Sequence, residues 1–363
     1  MNNVYLQNNY LIVLFSFIFS FITTFLTVYP IKKVGYKFGF LDRLDSRKEY
    51  REEIVRIGGI SIVSGLFISL FFTKFLIKSN LETELTYIIF FSFIFFLIGL
   101  SDDLLTIKPL PRLFFQIFFS FTALAFCSDL TFQLLNNFYF QDFNSQVFSL
   151  LGIFITVIWI SGITNAINWT DGLDGLASFI AITIFTSLFF VFLHLNLFQY
   201  AIYSITLAGA CYGFLFHNYR PASIIMGDGG SYFLGFNVAV LSLIASNNLY
   251  FQYPNKEIYT FLPLLLLAIP ILDMLIVILT RISNLKSPFE PDRSHLHHRL
   301  LNLGFGYHKT IDTIIILNLI FSTITFVLIS RYDFLFSSIL LIVFLNLSVK
   351  KNFLVTFKDK LKK

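Results

Sequence analysis

Asp102 and Asp103, the series Asn165, Asn168, Asp171 and Asp174, the turn Met226-Gly-Asp228-Gly-Gly-Ser231, and the block Ser294-His295-Leu-His297-His298-Arg299 gather carboxylates, amides and imidazoles in a chain otherwise dominated by Phe. Adjacent helix residues point about 100° apart, so Asp102 and Asp103 cannot both address one atom and are expected to have separate tasks. The bland alternative is a pair of interfacial acids solvating a helix end. Asn165 to Asp174 recur at every third position. A straight helix would turn the last of them about 180° away from the first. The four converge only if the helix stops or bends, which Gly172 and Gly175 permit. Two amides and two carboxylates around such a turn suit a nucleotide or a diphosphate, whereas Asp/Asn capping of the next helix accounts for one or two of them.

Glycines around Asp228 let backbone N–H groups approach a phosphate, and a helix N-terminus favours anions. Asp228 is the natural metal ligand there, because Mg2+ takes one or two carboxylates together with substrate phosphates. A Gly-Asp-Gly-Gly turn alone is nonetheless common. His295 and His298 are three apart and share a helix face, with Arg299 beside them. Phosphate binding or proton transfer is the first reading of the block. Zinc is the second, without a nearby thiolate or a His-Glu-x-x-His pattern. Asp273, three residues after Pro270 in an apolar segment, is either functional or the partner of a buried cation. His217 is left undecided, and His194 and His308 are expected to sit in connections without a role.

The elements that must position these groups are membrane helices. The chain has 363 residues, 56% of them apolar and 13% charged, and a mean hydropathy of +0.76, against about 25% charged residues in soluble domains. A spanning helix needs about 20 mostly apolar residues. Eleven segments qualify, near 10–30, 57–77, 86–101, 112–128, 147–163, 176–193, 199–216, 231–247, 259–280, 311–330 and 333–349, the third extending towards Leu104 and Leu105. An all-α polytopic membrane protein forming a single domain over 1–363 is expected. The first segment has no Lys or Arg before Lys32, so it lacks the charged region of a signal peptide. Counting loops by parity leaves only Lys74, Lys78, Lys256 and Arg331 of the 26 Lys and Arg on one face. The positive-inside rule then puts the N-terminus outside and the C-terminus in the cytoplasm, with every polar cluster on the cytoplasmic side. Cys127 and Cys211 lie in apolar runs and read as core residues, not as a disulfide or a metal site.

These motifs, in this order, resemble the polyprenyl-phosphate N-acetylhexosamine-1-phosphate transferases, bacterial inner-membrane enzymes that begin cell-envelope polysaccharide synthesis. The likeness runs from about Leu41 to Phe305. It takes in Arg47-Lys48, Gly58-Gly59, Gly99 to Asp103, Asn165 to Gly175, Asn218 with Pro221-Ala222, Met226 to Ser231, Pro270 to Asp273, and Ser287 to Arg299. The His-Leu-His-His stretch is similar to the branch that uses UDP-N-acetylglucosamine or a related UDP-N-acetylhexosamine. The phospho-MurNAc-pentapeptide branch is the alternative. Leu44, Tyr50, Glu53 and Val55 depart from the branch pattern in the first polar loop.

The resemblance implies attack by undecaprenyl phosphate on the β-phosphorus of the UDP-sugar, with UMP released, and a Mg2+ or Mn2+ cofactor. It implies that Asp228 holds the metal, that Asp102 orients or deprotonates the lipid phosphate with support from Asp103, and that Asn168, Asp171 and Asp174, with Asn165, line the nucleotide site. His295, His297, His298 and Arg299 would contact sugar or phosphate, and Lys48 would neutralise anions. Expected partners are the two substrates, the lipid bilayer and a second copy of the chain, with no nucleic acid. A transporter is the competing class, but it would place ionisable groups near the bilayer midplane in two related halves. Isoprenoid-attaching and CDP-alcohol transferases pair acids four apart or follow Asp-Gly with Ala-Arg, unlike Asp171-Gly-Leu-Asp174-Gly-Leu.

Overall fold

A computed structural model describes residues 2–42, 53–77, 81–127, 130–131, 145–253, 257–287 and 293–329. It is a helical membrane protein. The helices are α1 (Asn2–Phe38), α2 (Gly59–Ile77), α3 (Thr83–Leu105), α4 (Pro109–Phe126), α5 (Ser145–Thr170), α6 (Leu176–His194), α7 (Phe198–Asn218) and α8 (Gly227–Gln252). After a 3-10 turn at Glu257–Phe261 come α9 (Leu262–Leu266), α10 (Ala268–Ser283), α11 (Leu296–Asn302) and α12 (Tyr307–Ile329). Eight of these helices are long and apolar enough to cross a membrane, and a ninth span results if the bent α9–α10 pair is counted as one. The expected segment 333–349 lies outside the described residues.

Several expected boundaries move for identifiable reasons. The helix expected at 86–101 runs on through Leu104 and Leu105, as the sequence suggested, and ends where Thr106 takes a left-handed φ of 52°. The expected single helix at 259–280 is instead two pieces bent by 70°. Pro263 and Pro270 both fall in the first turn of a piece, where a missing N–H costs nothing, so each proline restarts a helix that it could not continue. α7 matches the expected 199–216 but is absent from the eight, because Gly, Ser, Thr and Tyr dilute its apolar residues, and its neighbours bury almost all of it. His194 and His308 sit on the ends of α6 and α12 and not in connections, where they lie 3.4 and 3.5 Å from Tyr253 and Tyr219. Cys127 and Cys211 are buried and form no disulfide among the described residues.

α8 is the axis of the bundle. It is buried along its membrane segment and packs against α2, α3, α5 and α6. One small departure from an all-helical chain bears on the site. A two-residue antiparallel ladder pairs Leu41 with Val55 and Asp42 with Ile54 (β1, Leu41–Asp42; β2, Ile54–Val55). The strand then continues by backbone pairing onto the segment before α8: Ile225 N–H donates to Val55 O, Gly58 N–H to Ile225 O and Gly59 N–H to Met226 O. Arg56 is thereby fixed beside the start of α8.

Candidate active site

The N-terminus of α8 needs a cap that its own sequence does not supply. Met226 precedes it without a capping side chain, and Gly227 enters at φ +72°, a conformation suited to glycine. Asp103, from the last turn of α3, caps it from across the bundle. Its Oδ1 accepts the Asp228 N–H at 3.0 Å and its Oδ2 the Gly229 N–H at 2.9 Å, satisfying exposed donors and placing negative charge at the positive end of the helix dipole. Arg56 donates to the same Oδ1 from Nε and Nη2, at 3.1 and 2.9 Å.

This corrects the expected use of the Gly-rich turn. Those two N–H groups face the protein's own carboxylate and not a phosphate, and the glycines serve close packing. A Cβ on Gly99 would strike the Asp228 backbone carbonyl, and one on Gly59 the Gly230 nitrogen.

The Asp228 side chain then stands where α3, α4, α5 and α8 meet. Oδ1 accepts the Asn168 amide at 2.6 Å, and the same amide reaches Ser231 Oγ at 2.8 Å. Oδ2 lies 3.2 Å from Arg112 Nη1 and 3.9 Å from Arg56 Nη2. Arg112 bridges, since Nη1 also pairs with Asp102 Oδ2, while Asp102 Oδ1 accepts the Ile107 N–H at 2.7 Å. Asp102 and Asp103 thus differ in partners, each holding a different arginine. Their side chains are 7% and 1% exposed, against 23% for Asp228, 21% for Arg112 and 23% for Arg56, so the latter three present charge to an incoming ligand.

Burial works against the charge on Arg56, but Asp103, Asp228 and Asp42 outweigh it and raise its pKa. Asp171, in the turn after α5, is pushed well above the ordinary carboxylate range by desolvation and then by Asp228, Asp174, Asp103 and Asp42. Carboxylates outnumber guanidinia here, which is the electrostatic condition for a divalent cation. Among the described residues no three His, Cys, Asp or Glu side chains enclose a metal ion by themselves. The hard carboxylate oxygens of Asp228 still fit Mg2+ or Mn2+, which take part of their shell from substrate phosphates and water.

The series from Asn165 to Asp174 is not brought onto one point. The helix does stop, at Thr170, and Gly175 (φ +82°) starts the next, but the four side chains part company. Asn168 faces Asp228. Asn165 donates to Gln116 Oε1 at 2.6 Å and to Ser161 O at 2.7 Å. Asp171 is partly exposed. Asp174 turns towards the α7–α8 connection, where Oδ2 accepts the Ala222 N–H at 3.1 Å, and its own N–H donates to Tyr307 Oη at 2.6 Å.

The histidine block lies against the same turn. A Cβ on Gly172 would strike His297 Nε2, and the His295 ring meets Trp169 edge-on at 5.6 Å. The rings of His295 and His297 stack at 5.6 Å, and those of His297 and His298 lie 4.3 Å apart. His295 stands at the N-cap position of α11, just outside the helix that holds His298, and its own side chain makes no capping bond. Burial, followed by His298 and His295, lowers the His297 pKa to about 3. Arg299 is exposed on α11, His217 is packed on Phe25 and Tyr29, and Lys48 lies outside the described residues. Arg56, Arg112 and Gln116 are the residues of the cluster that the motifs did not single out.

Comparison with known proteins finds relatives along most of the chain. A Bacillus subtilis (strain 168) protein named "Probable undecaprenyl-phosphate N-acetylglucosaminyl 1-phosphate transferase" is 31% identical over 339 residues, covering 91% of this chain and 89% of its own length. Residues 85–246 match the profile described as glycosyl transferase family 4. The chain belongs to glycosyl transferase family 4. Within the family it is also similar to the undecaprenyl-phosphate alpha-N-acetylglucosaminyl 1-phosphate transferase of Escherichia coli (strain K12), at 27% identity over 76% of this chain and 72% of that protein. The decaprenyl-phosphate N-acetylglucosaminephosphotransferase of Mycobacterium tuberculosis (strain ATCC 25618 / H37Rv) is 35% identical over 44% of this chain and 43% of its own length. The family match begins in α3 and ends in α8, the stretch that carries Asp102, Asp103, Arg112, Asn168 and Asp228.

Proposed function

We propose that this family 4 chain transfers N-acetylglucosamine 1-phosphate from UDP-N-acetylglucosamine to undecaprenyl phosphate, giving the lipid-diphospho-sugar and UMP. The observation that carries the reading is the half-open Asp228, held between Asn168 and the bridging Arg112 at the capped start of α8. The sugar and the lipid are taken from the names of the relatives. Asp102, Asp103 and Asp228 sit at helix ends and not at mid-helix, which argues against a transporter.

In the reaction an oxygen of the lipid phosphate bonds to the β-phosphorus, and the bond from that phosphorus to the bridging oxygen breaks, so UMP leaves with the bridging oxygen. Such transfers depend on alignment and charge neutralisation. Arg112 and Arg56 offset the charge of the two phosphate-bearing reactants. Asn168 keeps Asp228 in one orientation, and Asp103 fixes the backbone that carries it. A phosphate monoester has a second pKa of about 6, so the acceptor is already ionised at neutral pH. Asp102 therefore serves by holding Arg112 and not as an obligatory base. Asp228 would hold Mg2+ or Mn2+, whose contribution would be to neutralise the diphosphate. Asp171 lines the nucleotide side, and the histidines and Arg299 meet sugar or phosphate, with Asn165 and Asp174 in supporting places and Lys48 neutralising anions.

The whole chain is read as one domain in the bacterial inner membrane, with eleven spans, an outer N-terminus and the site facing the cytoplasm, where a homodimer is compatible with the fold. The test is UMP release by purified protein with undecaprenyl phosphate and a panel of UDP-sugars. Release that needs the lipid and is greatest with UDP-N-acetylglucosamine supports the reading. No release with any sugar refutes it. Tag accessibility that put Asp103 and His297 on opposite leaflets would refute the topology.

A further inference from the structure

α11 meets the problem that α8 meets. Only seven residues long, it has no capping side chain of its own at His295, and a helix this short is not stable alone. A buried carboxylate from another helix supplies the cap. Asp273, in α10 and 5% exposed, accepts the Leu296 N–H on Oδ1 at 2.6 Å and contacts His295 Nδ1 through Oδ2 at 3.0 Å.

A carboxylate only accepts hydrogen bonds, so the proton on this edge of the ring sits on Nδ1, and in the neutral ring Nε2, on the opposite edge, keeps its lone pair. The same carboxylate thus sets both where α11 begins and which nitrogen of His295 can act. The ring it orients faces Trp169, the neighbour of Asn168, and stacks on His297, which in turn packs on Gly172.

We infer that Asp273 is a positioning residue for the transfer reaction, acting through His295 by fixing its tautomer and the start of α11. This rests on the transferase reading above. Asp273→Asn separates the two jobs. Its amide oxygen still accepts the Leu296 N–H, while its NH2 group faces His295 Nδ1, can only donate, and forces the proton onto Nε2. An Asp-to-Asn change that imposes the wrong tautomer, or the loss of a group orienting an active-site ligand, costs about 10- to 100-fold or more in activity.

The experiment measures UMP release by the full-length protein, with its melting temperature, for the wild type, D273N, D273E, H295A and D273N/H295A. The expected result is a kcat about 10- to 100-fold lower in D273N, with KM for the UDP-sugar changed far less and an unchanged melting temperature. D273E recovers part of the rate, and the double variant is no slower than H295A. A D273N enzyme with wild-type kcat, or losses that multiply in the double variant, overturns the inference. So does a D273N protein that melts early when D273E recovers no rate, which would make Asp273 purely structural. A wild type that releases no UMP would instead refute the transferase reading, so the two failures are distinguishable.

Discussion

Asp103 and Asp228 are both acids of the same cluster, yet the structure gives them opposite sensitivities to removal of one charge. Asp103→Asn keeps its oxygen at the Oδ1 position for the Asp228 N–H and Arg56 and turns an NH2 towards the Gly229 N–H. One charge-assisted hydrogen bond is lost, at about 1.5–3 kcal/mol. The ion pair with Arg56 is lost too, but that side chain is 23% exposed, so it adds only about 1 kcal/mol. The expected destabilisation is about 2.5–4 kcal/mol. Asp228→Asn keeps its oxygen for Asn168, loses contacts only to two partly exposed arginines, and should cost less than about 1 kcal/mol. Both variants should lose UMP release. D228N loses it because the charge at the reaction centre is gone, and D103N because α8 shifts, where about 1 Å of misplacement costs about 100-fold. Thermal unfolding in detergent beside the UMP assay separates them, with an early transition in D103N and a wild-type transition in D228N. A D103N protein that melts with the wild type but is inactive would show Asp103 acting on the reactants, and the capping argument would be wrong.

Gly99→Ala puts a methyl group into the Asp228 backbone carbonyl, so a loss of about 1–3 kcal/mol, with activity falling alongside the melting temperature, is expected. Asn168→Ala frees Asp228 Oδ1 without disturbing a cap. The UMP assay should show about 10- to 100-fold lower kcat, with a smaller fall in melting temperature than in D103N. His297 carries a folded pKa of about 3 against an ordinary 6.5, so below pH 6.5 the unfolded chain takes up a proton that the folded chain refuses. Stability should therefore fall as pH drops from 6.5 towards 3, and a pH series of melting temperatures on H297Q should show a shallower fall. Chelation with EDTA should abolish UMP release, and added Mg2+ should restore it.

The apolar segments were legible because spanning length is set by the bilayer: of the eleven segments, the ten inside the described residues coincide with helices, with α9–α10 broken. The break was hidden by hydropathy, which counts Pro263 and Pro270 only as weakly polar and ignores their geometry. In the site, the acids and histidines stood out as clustered polar groups. Arg56 and Arg112 did not, because the positive-inside rule already explains basic residues at helix ends and absorbed both. Arg112 left one readable trace. With Gln116 and Ser120 it forms an i, i+4, i+8 stripe on a Phe-rich helix, and Gln116 and Ser120 belong to the buried face of α4. Arg56 left none, since its position depends on backbone pairing between residues 54–59 and 225–226. The three-residue spacing of Asn165 to Asp174 misled in the other direction, because a stop at Thr170 sends Asp174 to the Ala222 N–H instead of to Asp228.

What organises the site is a repeated device. α8 and α11 each begin without a cap of their own, and each takes one from a buried aspartate on a preceding helix, Asp103 from α3 and Asp273 from α10. A local Ser or Asp at the cap position would satisfy the same donors, but it would leave the helix free to slide against its neighbour. A cap from across the bundle makes the helix start and the interhelical register one constraint. It works only if the backbones approach closely, which Gly99 and Gly59 allow against α8. The result is that Asp228 and His295, each held at the start of a helix, are each positioned by a carboxylate from another helix, on either side of the Asn168–Gly172 segment. Phosphoryl transfer gains most from such fixed placement of charge, so the residues that touch no reactant are predicted to matter nearly as much as those that do.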